Sequence, residues 1–164
     1  MRLRTALKNV DKQLWKNETV QIKPLKTQEE LIYAIFDCQL TEEQKDYVNP
    51  AGFSIGRAYL CSEDNYPCII YDNQMKMIGF ITLCKWLGEG DAYSWSYFID
   101  RRYQGNGYGK SVAQVAINVL KAADCNKSIK LATEEDNQRA QKLYTELGFV
   151  QLQERDGDDL VFGL

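Results

Sequence analysis

The chain has 164 residues, of which 45% are apolar and 26% charged, a composition typical of one globular domain. It contains no histidine, which excludes Ser-His-Asp triads, Cys-His dyads, histidine-ligated metal centres and imidazole acid–base catalysis. A net charge of −3 argues against nucleic acid or an anionic membrane as a partner, because both are recognised through basic surfaces.

The first predicted elements are helical and lead into a strand. Apolar residues spaced three or four apart predict a helix over residues 3–15, namely Leu3, Leu7, Val10 and Leu14. We take residues 1–18 as an N-terminal helical extension, followed by a strand over residues 19–25. Capping boxes beginning at Thr27 and Thr41 then predict two helices, whereas residues 52–61 show no clear periodicity and are left unassigned, with Ser54 as one candidate start of a further short helix.

In the second half of the chain, strands and helices alternate. The predicted strands cover residues 68–71, 77–83, 92–99, 129–133, 149–152 and 160–162. Helical periodicity predicts two helices, over residues 107–123 and 137–147, the second ended by Gly148. This order predicts one α/β (α+β) domain over residues 19–164, with a hairpin-built sheet that contains a local parallel element.

A glycine-rich stretch separates the predicted strand 92–99 from the predicted helix 107–123. Glycine lets the backbone approach a ligand closely, and the first N–H groups of a helix are unpaired beside the positive end of its dipole. The pattern predicts an anion site, most naturally for phosphates; the alternative is a tight turn without a ligand. A dinucleotide fingerprint would need glycine at Lys110, and a P-loop would need glycine at Gln104.

The motif Gln104-x-x-Gly107-x-Gly109 resembles the coenzyme A loop of the GNAT superfamily of N-acetyltransferases. Residues 137–149 are similar to the family's N-x-x-A-x-x-L-Y-x-x-x-G-F segment. The resemblance implies the GNAT fold, a mixed, mostly antiparallel sheet with a splayed parallel strand pair, and direct acetyl transfer from acetyl-CoA to an amine. Residues 40–55 resemble bacterial spermine/spermidine acetyltransferases, which implies a small cationic acceptor such as spermidine or spermine.

The resemblance also implies roles for individual residues. It assigns the pantetheine arm of the cofactor to the backbone of residues 97–99, and the pyrophosphate to a loop entered at Gln104. The cofactor-binding residues are thus Tyr97, Phe98, Ile99, Gln104, Gly105, Asn106, Gly107, Tyr108, Gly109, Lys110 and Asn137. Tyr144 corresponds to the family's general acid, which protonates the departing thiolate and also borders the cofactor. From its helical position alone, a buried core aromatic with a satisfied hydroxyl would be the commoner interpretation of Tyr144, and the motif favours the acid role.

The general base is not evident, because Ala132 stands where many relatives carry a glutamate. Glu89, Asp91 and Glu134 are the acidic candidates, acting through water; the alternative for each is a solvated loop charge. Acidic side chains on the early helices, which border the acceptor cleft in this fold, would suit a polyamine: Asp37, Glu42, Glu43 and Asp46. A charged helix face turned to water is the commoner explanation for such residues. Other acceptors remain as alternatives, namely a protein N-terminus, an amino acid or an aminoglycoside, as does a non-catalytic CoA-binding module.

Cysteine usage and hydropathy predict the compartment. Five cysteines without CxxC spacing predict reduced, core-like thiols and neither disulfides nor a metal site. No apolar run approaches the roughly 18 residues that span a bilayer, and residues 1–12 lack the apolar segment of a signal peptide. We therefore expect a cytoplasmic protein without a membrane partner, and family habit suggests a homodimer.

Overall fold

A seven-stranded sheet organises the computed structural model, which describes residues 2–164. Its strands are β1 (Val20–Pro24), β2 (Asn65–Asp72), β3 (Met77–Lys85), β4 (Ala92–Ile99), β5 (Ser128–Thr133), β6 (Val150–Asp156) and β7 (Asp159–Gly163). They lie in the order β1-β2-β3-β4-β5-β7-β6, and every neighbouring pair is antiparallel except β4 and β5. The predicted mixed, mostly antiparallel sheet is confirmed.

Helices cover both faces of this sheet. Within residues 2–164 they are α1 (Leu3–Lys8), α2 (Gln28–Ile32), α3 (Glu42–Tyr47), α4 (Ala51–Leu60), α5 (Tyr108–Ala123) and α6 (Gln138–Glu146). A π-helical turn (Tyr33–Asp37) continues α2, and 3-10 turns occupy Lys12–Trp15 and Arg101–Tyr103. In this part of the chain no helix combines the length and apolar character needed to cross a membrane.

The first helix is shorter than its apolar spacing predicts. It ends at Lys8, and the side chain of Asp11 accepts a hydrogen bond from the backbone N–H of Gln13, which starts a separate 3-10 turn. The change of helix type rotates the last apolar residue outward, so that Leu14 is 36% exposed while Leu7 is 2% exposed. The prediction of one helix over residues 3–15 is therefore wrong at its end.

The capping boxes are confirmed, whereas one helix was not predicted. The side chains of Thr27 and Thr41 each accept a hydrogen bond from the backbone N–H three residues later, and the backbone N–H of each threonine donates to the side chain there. The segment left unassigned forms α4, which begins after Pro50. Gly52 and Gly56 lower its intrinsic helix propensity and interrupt its periodicity, which explains why sequence patterning missed it.

The two faces of the sheet have separate cores. Tyr93 and Trp95 of β4 pack with α5 and α1 on one face. On the other face Phe98 of β4 packs with Tyr33 of the π-helical turn and Ala51 of α4. Because successive side chains of a strand point to opposite faces, β4 contributes to both cores and fixes α3 and α4 opposite α5.

The cysteines do not all match the expectation of core-like thiols. All five are free. Cys68 is buried within β2, but Cys61 and Cys125 are exposed, so the expectation is wrong for these two. Both exposed cysteines lie just after helix ends, where the chain leaves the core.

Candidate active site

The parallel strands β4 and β5 separate soon after they pair. Only Ala92 with Ser128 and Tyr93 with Ile129 are matched in register. Beyond Tyr93, the edge of β4 that faces β5 has no strand partner, and a cavity of about 800 Å³ passes through the gap. Backbone N–H and C=O groups need hydrogen-bond partners, so this edge can bind an extended polar ligand. The predicted residues Tyr97, Phe98 and Ile99 all border the cavity.

The glycine loop opens onto one end of this cavity. Gly105 and Gly107 have φ angles of 80° and 77°, and Gly107 forms the N-cap of α5 without any side-chain cap. A Cβ atom built on either glycine meets nothing within 4 Å. The first residues of the 16-residue helix α5 line the cavity, so the unpaired N–H groups at the positive end of the helix dipole border it, which suits a phosphate group.

Three side chains of the predicted loop form hydrogen bonds or ion pairs with other protein groups. Asn106 Nδ2 donates to the backbone oxygens of Tyr103 (3.0 Å) and Gln104 (3.4 Å), and Gln104 Nε2 donates to Ile99 O (3.0 Å). Lys110 Nζ lies 3.6 Å from a carboxylate oxygen of Glu146 at the end of α6. The ligand-facing groups of this loop are therefore mainly backbone N–H groups.

Two phenols, Tyr97 and Tyr144, line the cavity and differ in their partners. The Tyr97 hydroxyl donates to the backbone oxygen of Gly109 over 2.9 Å. The Tyr144 ring packs on Phe149 and Phe162, with centroid distances of 5.8 and 5.7 Å. Among residues 2–164 its hydroxyl has no hydrogen-bond partner, and burial, followed by the nearby Glu134 carboxylate, raises its pKa to about 12. Tyr144 is thus a neutral donor at physiological pH.

Asn137 and Tyr108 complete the predicted cofactor side. The Asn137 Oδ1 atom accepts from the Ala140 N–H over 3.2 Å and so caps α6, which leaves its amide N–H groups facing the cavity. Tyr108, the first residue of α5, is half-buried in the same wall. We call the glycine loop, the start of α5 and α6 the cofactor half of the cavity.

Three loop carboxylates had been candidates for the general base, and only one borders the cavity. Glu134, half-buried at the end of β5, lies in its wall beside Ala132. Asp91 is exposed and forms an ion pair of 2.7 Å with Lys127, which lowers its pKa. Glu89 is exposed and outside the lining. Neither Asp91 nor Glu89 lines the cavity, which favours Glu134 among the three.

The opposite side of the cavity, which we call the acceptor half, is built from α3, α4 and the end of β3. Of the four acidic residues predicted there, Glu43 lines the cavity. Glu42 points outward and pairs with Lys45 at 2.7 Å. Asp37 and Asp46 are exposed outside the lining, so these three residues fit the alternative of a solvated helix face. On short helices only one face can reach the cavity.

Several other residues that line the cavity were given no role by sequence reasoning. They are Gln44, Tyr47, Arg57, Ser94, Ser96 and Thr133. Ser94 and Ser96 alternate with Trp95 and Tyr97 along β4, a polar alternation that marks one face of a strand and was available in the sequence. The Thr133 hydroxyl is buried without a protein partner in residues 2–164. Arg57 lies on α4, which was not predicted, and forms no ion pair with the part of the chain described.

Comparisons with known proteins agree with this architecture. The model of the acetyltransferase (GNAT) family matches residues 30–149. The sequence matches none of the curated proteins at a significant level. Many solved structures are similar in fold, and three of them illustrate the range.

Spermidine N-acetyltransferase from Vibrio cholerae, solved in complex with CoA and spermine, has a TM-score of 0.66 at 18% identity, covering 90% of this chain and 94% of that chain. An acetyltransferase from Agrobacterium tumefaciens has a TM-score of 0.63 at 16% identity, covering 91% of this chain and 92% of that chain. A domain from Methanocaldococcus jannaschii has a TM-score of 0.69 at 15% identity, covering 90% of this chain and 99% of that chain. At these identities the likeness establishes the fold.

Proposed function

This chain belongs to the GNAT family of acetyltransferases, and we propose that it acetylates a primary amine of a small cationic acceptor, a polyamine such as spermidine or spermine. The family takes the acetyl group from acetyl-CoA. The observation that carries the proposal is the cavity through the splayed strands, which joins an anion-binding loop to two acidic side chains, Glu43 of the acceptor half and Glu134 at the end of β5. A cytoplasmic location and a homodimer stay predictions.

The residues present fit acetyl-CoA in chemical terms. The unpaired edge of β4 at residues 97–99 offers backbone groups to the amides of the pantetheine arm. The N–H groups of residues 105–110 offer donors to the pyrophosphate, with Gln104 at the entrance, and the Asn137 amide adds a donor from α6. Bound acetyl-CoA supplies the acetyl group as a thioester.

The protein's own groups then move the protons. We assign Tyr144 as general acid, because its hydroxyl is protonated, borders the cavity and is free of protein partners, whereas the Tyr97 proton is engaged with Gly109. A backbone N–H on the open edge of β4 would bind the acetyl carbonyl oxygen and stabilise negative charge that develops there.

An amine near pKa 10 must lose a proton before it can attack. Glu134 is the favoured candidate base, since it borders the cavity beside Tyr144. A bridging water would extend the reach of its carboxylate toward the amine. Its negative charge also favours a cationic acceptor.

Acidic side chains in the cavity wall favour a cation, although Arg57 and Lys85 of the acceptor half line the same wall. Glu43 and Asp156 line the cavity together with Glu134, and Asp136 lies close enough to Tyr47 to contribute, after burial, to raising the pKa of that phenol. A polyamine has several ammonium groups spaced along a flexible chain, so one can be held near Glu43 while another reaches the thioester. The Vibrio cholerae relative in complex with spermine has the same fold.

Arg57 favours a second candidate, an acceptor that carries a carboxylate as well as an amine, such as an amino acid or a peptide N-terminus. Arg57 lines the acceptor half and has no ion-pair partner among residues 2–164. Burial raises the pKa of the nearby Cys84 thiol, and the positive charge of Arg57 partly offsets that rise. A half-buried arginine without a carboxylate partner is a potential anion contact.

A thiol-release assay with acetyl-CoA against polyamines, amino acids, peptides and aminoglycosides tests the acceptor class. We expect spermidine or spermine to react best, and Glu43→Gln to raise their KM while leaving CoA binding unchanged. If only carboxylate-bearing amines react, and Arg57→Ala abolishes that preference, the polyamine proposal is wrong. Isothermal titration tests the donor, since no binding of acetyl-CoA at millimolar concentration would contradict both candidates.

A further inference from the structure

The backbone oxygen of Ile99, the last residue of β4, accepts hydrogen bonds from two side chains in different halves of the cavity. Gln104 Nε2, at the entrance of the glycine loop, donates over 3.0 Å. Gln44 Nε2, from α3 in the acceptor half, donates over 3.2 Å. One oxygen atom therefore connects the helix that borders the acceptor to the loop that faces the cofactor.

Gln44 uses both ends of its amide. The side-chain Oε1 of Gln44 accepts from the Thr41 N–H over 2.9 Å. The backbone N–H of Gln44 donates to Thr41 Oγ1 over 3.1 Å, which completes the capping box of α3. Glutamate serves in a capping box as well as glutamine does. Only glutamine also has side-chain N–H groups that can donate to Ile99 O. The bond to Ile99, and not the cap, is therefore what glutamate could not supply at this position.

A second set of bonds holds the same two segments together. The Arg101 N–H donates to Gln39 O over 2.7 Å, and Arg101 Nε donates to Gln39 Oε1 over 2.8 Å. Arg102 Nη2 donates to Asp37 O over 3.1 Å. The chain before α3 is thus fixed to the residues between β4 and the glycine loop, so α3 cannot shift without straining the entrance of that loop.

We propose that Gln44 is a positioning residue for the cofactor, acting through Ile99 and Gln104 from the acceptor half. This inference rests on the proposed function, because it assumes that acetyl-CoA binds at the glycine loop. Replacing the Gln44 amide by a carboxylate would set negative charge against the Ile99 oxygen. That carboxylate would also compete for the N–H groups of Gln104 and draw this side chain away from the entrance.

The variant Gln44→Glu isolates this role, because it keeps the cap and loses the donor. We expect the Kd of CoA and the KM of acetyl-CoA to rise about three- to tenfold, the range for one neutral hydrogen bond. The kcat at saturating acetyl-CoA stays close to wild type, and the Tm falls slightly because the bond to Ile99 is lost. Glu42→Gln is the matched control: it makes the reverse exchange at the exposed neighbouring position and leaves all four quantities unchanged.

A second variant separates the amide from helix stability. Thr41→Ala removes the cap and keeps the Gln44 amide, so we expect a lower Tm with wild-type CoA affinity. The inference is overturned if Gln44→Glu binds CoA as wild type does, or if Thr41→Ala weakens CoA binding equally. The proposed function survives either result, whereas a wild-type protein that fails to bind CoA would overturn both.

Discussion

The Tyr97 hydroxyl donates a hydrogen bond to the backbone oxygen of Gly109 over 2.9 Å. The bond joins the end of β4 to the first turn of α5, where the unpaired N–H groups of the helix begin. Burial, with a further contribution from Tyr144, raises the pKa of Tyr97, so the hydroxyl stays protonated and keeps donating. Of these two phenols, Tyr97 is thus a structural donor and Tyr144 is the one free to react.

The variant Tyr97→Phe removes this donor and keeps the ring. We expect the free energy of unfolding to fall by about 1 kcal/mol, because Gly109 O loses a partner in a partly buried site. Since Gly109 begins the anion-binding turn, CoA affinity should also fall by a few-fold. Denaturant unfolding and titration calorimetry measure the two effects. A kcat loss beyond about tenfold would instead give Tyr97 a role in proton transfer.

The variant Tyr144→Phe tests the general acid directly. Turnover should fall by about one to three powers of ten, the range for a general acid–base group, while acetyl-CoA binds normally. Stability should change little, because the phenyl ring keeps its contacts with Phe149 and Phe162 and no protein hydrogen bond is lost. Single-turnover kinetics at saturating acetyl-CoA measure the chemical step. Wild-type turnover would show that the hydroxyl has no catalytic role.

Local patterns in the sequence were sufficient for most of the secondary structure. β4 was predicted with its exact bounds, since it is rich in aromatic residues, and both capping boxes fixed helix starts. α4 was missed because Gly52 and Gly56 weaken a helix that is held by tertiary packing of Ala51 and Ala58. Propensity alone does not contain that packing.

In the candidate site, too, features set by local sequence could be predicted, whereas features set by distant contacts could not. Glycine spacing indicated the loop, because φ angles near 80° at Gly105 and Gly107 depend on local sequence. Which carboxylate faces the cavity depends on contacts that are distant in sequence: Asp91 is held outside by Lys127, 36 residues away. The convergence of Gln44 and Gln104 on Ile99 likewise spans 55 residues and has no local signature.

The value of kcat/KM should change in one direction only between pH 7 and pH 10. The chain has no histidine, and the pKa of Tyr144 is about 12, so the acid stays protonated up to that pH. The free-amine fraction of an acceptor with a pKa near 10 rises about tenfold per pH unit below that value. We expect kcat/KM to rise from pH 7 toward pH 10. A decline with an apparent pKa between 7 and 9 would contradict the assignment.

The variant Gly107→Ala tests the N-cap of α5. The φ angle of 77° is in the left-handed region, where a Cβ atom costs about 1 kcal/mol, although open space surrounds the position. The cost is therefore conformational and not steric. We expect a lower Tm, and a loss of CoA affinity of tenfold or more, because relieving the strain turns the first N–H groups of the helix away from the cavity.

Gly56→Ala provides the matched control for this substitution. A Cβ atom at Gly56 also meets nothing within 4 Å, but the residue is inside α4 with ordinary helical angles. Alanine there should raise the free energy of unfolding by about 0.5–1 kcal/mol and leave CoA affinity unchanged. Since both changes add one methyl group in open space, only the backbone conformation differs. Equal effects on Tm would therefore show that the left-handed N-cap at Gly107 does not constrain the loop.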